Sequence, residues 1–221
     1  MVGRIPARNP ERPVAAARTD VGCGVMSERT ARDPAAATRQ VPVELRRATV
    51  ADLPAIAEIR VRSWQRAYAG MIPAEYLAAL SPRTELIRRY RTFYAADRTM
   101  DEYVAVLAGA VVGWAAVGPY RGSGPADPTD PAERRAGEVG AIYLHPDHWS
   151  RGIGEALMWH VLGALAALGR DPVLLWVLAE NTRARRFYER IGFRPDGATQ
   201  EYPVAGVSLP ELRYRYDEGR R

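Results

Sequence analysis

Apolar positions along residues 43–217 recur at two periods, and the switches between them mark out the elements. Val43-Glu44-Leu45-Arg46 alternates and predicts a short strand. Thr49 then stands where a helix N-cap belongs, and Leu53, Ile56, Ala57, Ile59 and Val61 carry a helical stripe toward Trp64. A short second helix is predicted from Pro73 and a third over 86–94. Residues 102–107 and 111–117 read as strands about a turn at Ala108-Gly109. A loop with four prolines and two glycines is expected over 119–136, followed by a strand over 138–144. Next come a helix over 152–168 ended by Gly169, a strand over 173–178, and a helix over 182–190 closed at Gly192. Two closing strands are expected near 200–204 and 212–216. The sum is a mixed α/β domain whose middle runs strand, loop, helix, strand, helix.

Length and composition fit that reading. The 221 residues are 47% hydrophobic and 26% charged, enough for a real core and too apolar for wholesale disorder. Residues 1–40, rich in Arg, Ala and Pro without apolar periodicity, are expected to be a disordered leader. Residues 41–217 then form one domain and 218–221 a tail. The uncharged run Tyr103–Tyr120 is 18 residues long, but Gly109, Gly113, Gly118 and Pro119 make it two paired strands rather than a membrane span. No apolar signal segment is present in the leader, so a cytoplasmic location is expected.

The formal charge is +5, of which residues 1–40 carry +3 through seven arginines against four acids. Every basic side chain is arginine, a mark of genome composition more than of phosphate recognition, so no nucleic-acid partner is expected. Cys23 is the single cysteine, which excludes an intramolecular disulfide and a cysteine-based metal site. His145 and His148 flank a proline turn instead of sharing a helix face, so no metal is expected either.

The chemistry concentrates between Glu138 and Phe193. Ser150-Arg151-Gly152-Ile153-Gly154-Glu155 opens the long helix after a strand, where free backbone N–H groups and the helix dipole favour an anion such as a pyrophosphate. The same residues fit a plain glycine junction equally well. They match neither a dinucleotide fingerprint nor a Walker A loop. In the second segment Asn181 lies at a helix N-terminus and Tyr188 two turns later, on a stripe with Ala184, Phe187 and Ile191. Taken alone, such a tyrosine is more often a core aromatic than a catalyst.

Taken together, Leu144-His-Pro-Asp-His-Trp-Ser-Arg-Gly-Ile-Gly-Glu-Ala-Leu157 and the later Asn181, Phe187-Tyr188 and Gly192-Phe193 closely resemble the GNAT superfamily of acetyl-CoA-dependent N-acetyltransferases. The resemblance implies a central, mostly antiparallel sheet of six or seven strands with a splayed parallel pair, flanked by about four helices. It implies that acetyl-CoA pairs with the backbone of Ile142, Tyr143 and Leu144. Its pyrophosphate would then lie against Ser150, Arg151, Gly152, Ile153, Gly154 and Glu155, with Asn181 on the cofactor arm. Tyr188 matches the tyrosine that protonates the departing thiolate, a proton transfer between groups of comparable affinity.

For the base, the position of the glutamate in the histone-type branch falls on Glu138, with a water chain or His145 as fallback. Strand alternation places the His145 side chain opposite Glu138 and Leu144. The base position of the ribosomal-protein branch holds Trp176, so that assignment fails. Two departures concern the cofactor turn: Trp149 replaces a common Gln or Arg, and Glu155 a common basic or serine residue. For the amine acceptor, a small molecule or peptide, the resemblance points to Trp64, Tyr68, Tyr76 and Tyr202. Homodimers are common in the superfamily. The competing readings are a non-catalytic acyl-CoA sensor or partner-binding module and, from the leader, a nucleic-acid binder.

Overall fold

A computed structural model describes residues 42–122 and 130–217; the leader and the tail expected at the two ends lie outside the described residues. Seven strands, β1 (Glu44–Arg47), β2 (Asp101–Leu107), β3 (Ala110–Pro119), β4 (Gly137–Leu144), β5 (Val173–Leu178), β6 (Arg194–Val204) and β7 (Val207–Tyr216), form one sheet in the order β1-β2-β3-β4-β5-β7-β6. Each neighbouring pair is antiparallel except β4–β5. Among the described residues there are four long helices, α1 (Leu53–Ala67), α3 (Pro82–Phe93), α5 (Ile153–Ala167) and α6 (Thr182–Ile191), and two short ones, α2 (Ala74–Ala79) and α4 (Pro131–Arg135).

The two faces of the sheet bury different helices. Leu53 and Ile56 of α1 pack on Val104, Val106, Trp114 and Ala116. On the opposite face Leu157, Met158, Val161 and Leu165 of α5 and Ile191 of α6 pack on Ala105, Val139, Leu175 and Tyr214. The uncharged run expected to pair with itself does so as β2 and β3. Their turn, Ala108-Gly109, has both residues at positive φ (51° and 80°), the twist that suits a two-residue hairpin.

The loop expected over 119–136 holds α4, announced by Asp130-Pro131: the Asp130 carboxylate accepts from the Ala132 N–H at 2.8 Å and proline occupies the first helical turn. The closing strands are longer than expected, because the exposed polar half of β6 lacks apolar alternation.

The decisive irregularity is in β4. Ala116 pairs with Ala141 and Val117 with Val139, which leaves Gly140 as an unpaired extra residue, a β-bulge. A Cβ on residue 140 would lie 2.8 Å from the Met100 terminal methyl and 3.0 Å from the Arg121 guanidinium, so only glycine passes there unhindered. The bulge reverses the alternation: Val139, Ile142 and Leu144 face the α5 core, whereas Ala141 and Tyr143 face α1. This corrects the expectation that Glu138 and Leu144 share a face; Glu138 shares its face with Tyr143 instead. Pairing between β4 and β5 is limited to Gly137–Val173 and Glu138–Leu174, after which the strands part.

Candidate active site

Where β4 and β5 part, the sheet opens into a cleft of about 1160 Å³. Its walls come from α1, α3, the splayed strands, the start of α5, α6, and the β6–β7 pair.

The side of the cleft at the glycine turn is built largely from backbone. Ser150 and Gly152 both take positive φ (61° and 77°), and the left-handed Gly152 is the N-cap of α5, so the first amides of that helix open into the turn. Gly154 lets the helix approach its neighbours: a Cβ there would be 3.3 Å from Leu144 and 3.6 Å from Phe187. Ser150, Gly152, Gly154 and Glu155 line the cleft; the Arg151 side chain is exposed outside it and Ile153 is buried in the core. Glu155 is exposed in the first turn of α5, where the helix dipole favours an acid. Trp149 turns out to serve as a platform. Its ring carries the Arg183 guanidinium at 4.1 Å, and Arg183 also reaches Ser150 Oγ at 3.5 Å. A cation from α6 thus stands at the glycine turn although residue 149 is not basic, a substitution that sequence spacing does not reveal.

The strand edge is more constrained than expected. Ile142, Tyr143 and Leu144 line the cleft, but the Leu144 carbonyl already accepts from Ser63 Oγ at 2.6 Å and from Trp149 Nε1 at 2.9 Å. These two bonds tie the end of β4 to α1 and to the glycine turn. Asn181 caps α6, its Oδ1 accepting from the Ala184 N–H at 3.1 Å.

Tyr188 reaches the cleft from α6 with its ring packed against Phe187, Phe193 and Tyr214. Burial, and secondarily the nearby Tyr143, pushes its phenol well above the ordinary range, so it holds its proton throughout the neutral range. Its hydroxyl makes no hydrogen bond to another described residue.

Across from it stands a group of aromatics. The Tyr68 and Tyr143 hydroxyls are 3.4 Å apart, and Tyr68 packs edge-on against Trp64. Burial, then Tyr143, raises the phenols of both Tyr68 and Tyr202. Trp64 is 5% exposed and lies under the Arg60 guanidinium, while its indole N–H has no partner among the described residues. Tyr76 does not line the cleft.

The carboxylates divide sharply. Glu138, expected as a base, is buried with Arg121 bridging both oxygens (2.6 and 3.0 Å) and the Arg121 backbone N–H adding a third bond at 3.1 Å. Glu102 accepts from the Trp114 indole at 3.0 Å and faces Arg89 at 3.8 Å. Glu211 of β7 was not anticipated. It lines the cleft, accepts from Gln200 Nε2 at 2.7 Å, and has no cationic partner among the described residues. His145 lies outside the cleft lining, its Nδ1 accepting from the Asp147 N–H at 3.4 Å.

The sheet is parted between its parallel strands, a glycine turn opens α5 at the gap, and a protonated tyrosine faces it, the cleft of an acyltransferase. Residues 56–193 match the acetyltransferase (GNAT) family, and the chain belongs to it. The N-acetyltransferase YuaI of Bacillus subtilis is 29% identical over 172 residues, 77% of this chain and 90% of that protein. Among solved structures, an N-acetyltransferase of Staphylococcus aureus superposes with a TM-score of 0.60 at 19% identity, covering 80% of this chain and 98% of that one. The acetyltransferase yncA of Salmonella typhimurium, solved with acetyl-CoA, gives 0.58 at 19% identity, covering 81% and 96%. In the described residues no helix is long and apolar enough to cross a membrane, and no group of metal-ligating side chains is assembled.

Proposed function

We propose that the protein transfers the acetyl group of acetyl-CoA directly to a primary amine of a small molecule or peptide. The observation that carries this reading is the early end of β4–β5 pairing beside the N-terminus of α5. The parted strands leave backbone groups of β4 to pair with an extended pantetheine arm, and the first amides of α5 with Arg183 suit a pyrophosphate. The residues present therefore fit acetyl-CoA, which supplies the activated thioester. Asn181 orients the start of α6 beside it. Tyr188, protonated and without a hydrogen-bond partner among the described residues, supplies the proton that the departing sulfur requires. Trp64, Tyr68 and Tyr202 form the acceptor wall. No cysteine lies among the described residues, which favours attack by the amine over an acyl-cysteine route.

Calorimetry with acetyl-CoA tests the donor half. The wild type is expected to bind in the micromolar range. Gly154→Glu, whose side chain would crowd Leu144 and Phe187 and bring a charge to the phosphate turn, is expected to lose binding while circular dichroism shows the fold intact. A folded wild type that ignores acetyl-CoA would refute the reading; binding without turnover of any amine would point to an acyl-CoA sensor.

A further inference from the structure

We propose that Glu211, and not Glu138, receives the proton of the incoming ammonium and is the point at which the acceptor's cationic nitrogen docks. This deepens the acetyltransferase reading and rests on it. Three carboxylates line the acceptor side of the cleft, Glu102, Glu138 and Glu211, and their partners separate them. Glu138 is bridged by Arg121 through both oxygens, so taking up a proton there means breaking an ion pair. Glu102 is buried against Arg89 and the Trp114 indole. Glu211 has a neutral partner: the Gln200 amide holds Oε2, and Oε1 makes no bond to another described residue.

Position agrees with partners. Glu211 pairs in register with Leu178, the last residue of β5, at the open end of the splay, and with Gln200 directly across on β6. From β6, Tyr202 also faces it; from β4, Glu138 with its Arg121 lies within electrostatic reach. On its own strand Arg213 is engaged by Glu133 and Asp196 and does not neutralise it. Burial first, and the Glu138 charge after it, raise the Glu211 carboxyl above the usual glutamate range, against the opposing Gln200 hydrogen bond. A base so placed binds a cation through charge and then accepts its proton more readily than an ordinary glutamate does.

The step balances. The ammonium nitrogen gives a proton to Glu211 Oε1 and its freed lone pair forms the bond to the acetyl carbon. The carbon–sulfur bond breaks with its electrons on sulfur, which takes the Tyr188 proton. The attacking nitrogen then sheds its second proton through water to the Tyr188 phenolate, and Glu211 releases its proton to solvent, so one proton appears per amide formed.

The test uses the full chain as wild type, E211Q and E138Q. Thiol release from acetyl-CoA is followed with tyramine, spermidine and amino-acid amides, and the best wild-type substrate is carried forward. E211Q is expected to lose about 100-fold in kcat/KM near pH 7. That deficit should close as pH rises toward the amine's own pKa, because a neutral amine needs no base. E138Q, whatever its rate, should keep the wild-type pH profile. In ¹³C spectra of glutamate-labelled protein, the carboxyl signal missing from E211Q should titrate above the ordinary range and shift when the amine is added. An E211Q variant within twofold of wild type, or a deficit constant across pH, overturns the proposal and leaves the acetyltransferase reading standing. A pH-closing deficit in E138Q returns the role to Glu138. A wild type that binds acetyl-CoA but acetylates no amine takes down both.

Discussion

The two halves of the cleft are made of different material. The half proposed to hold the donor uses backbone: an early end to strand pairing, a helix N-terminus, and two glycines at positions where a side chain would be strained or crowded. The half proposed to hold the acceptor uses side chains drawn from α1, β4, β6 and β7. Backbone geometry accepts many side chains so long as the glycines stay, so Trp149 and Glu155 leave the shape of the turn intact. A side-chain wall changes its chemistry with each substitution. On the proposed function the backbone half sets the class of reaction and the side-chain half sets the particular amine.

Substitutions that act on one half alone sharpen this contrast. The largest effect is expected from Tyr188→Phe, which removes the proton donor and keeps the ring packing against Phe193 and Tyr214. Turnover should fall about 10- to 1,000-fold with acetyl-CoA affinity nearly unchanged, as read by steady-state kinetics beside calorimetry. Unchanged turnover would remove the acid assignment. Next comes Arg121→Ala, which leaves the buried Glu138 carboxylate without its partner. Loss of about 2 kcal/mol of stability is expected in urea unfolding, with acetyl-CoA affinity retained; the partial exposure of Arg121 keeps the cost below that of a fully buried pair. The smallest effect belongs to Arg183→Ala. An exposed guanidinium at the phosphate turn contributes about 1 kcal/mol, so the acetyl-CoA Kd should rise about fivefold, more at low salt than at high. An equal loss at all salt concentrations would mean that Arg183 acts through its stacking on Trp149 instead of its charge.

The same contrast explains what could be read from the chain beforehand. Residues 150–155 and 181–193 are contiguous, so the glycine turn, the Asn181-capped helix and the chain order of strands and helices about them were legible in the sequence. The bulge at Gly140 left only a faint signal, a glycine inside a strand, yet it decides which side chains share a face with Glu138. Arg121 and Glu138 are 17 residues apart across a loop, and nothing local announces that they meet. Glu211 sits in a strand whose alternation shows two faces, but its distance from β4 depends on β7 inserting between β5 and β6. Short motifs encode backbone turns; meetings of side chains across a sheet are encoded only by the whole topology.

The most direct test follows the acetyl carbon. Wild-type protein incubated with acetyl-CoA labelled with ¹³C at the carbonyl, and with the same amines, should move that signal from thioester to amide as free thiol appears in equal amount. Tyr188→Phe should do so at the reduced rate while binding the donor equally well. A labelled thioester that stays intact beside every amine, on a protein that demonstrably binds it, would contradict the account.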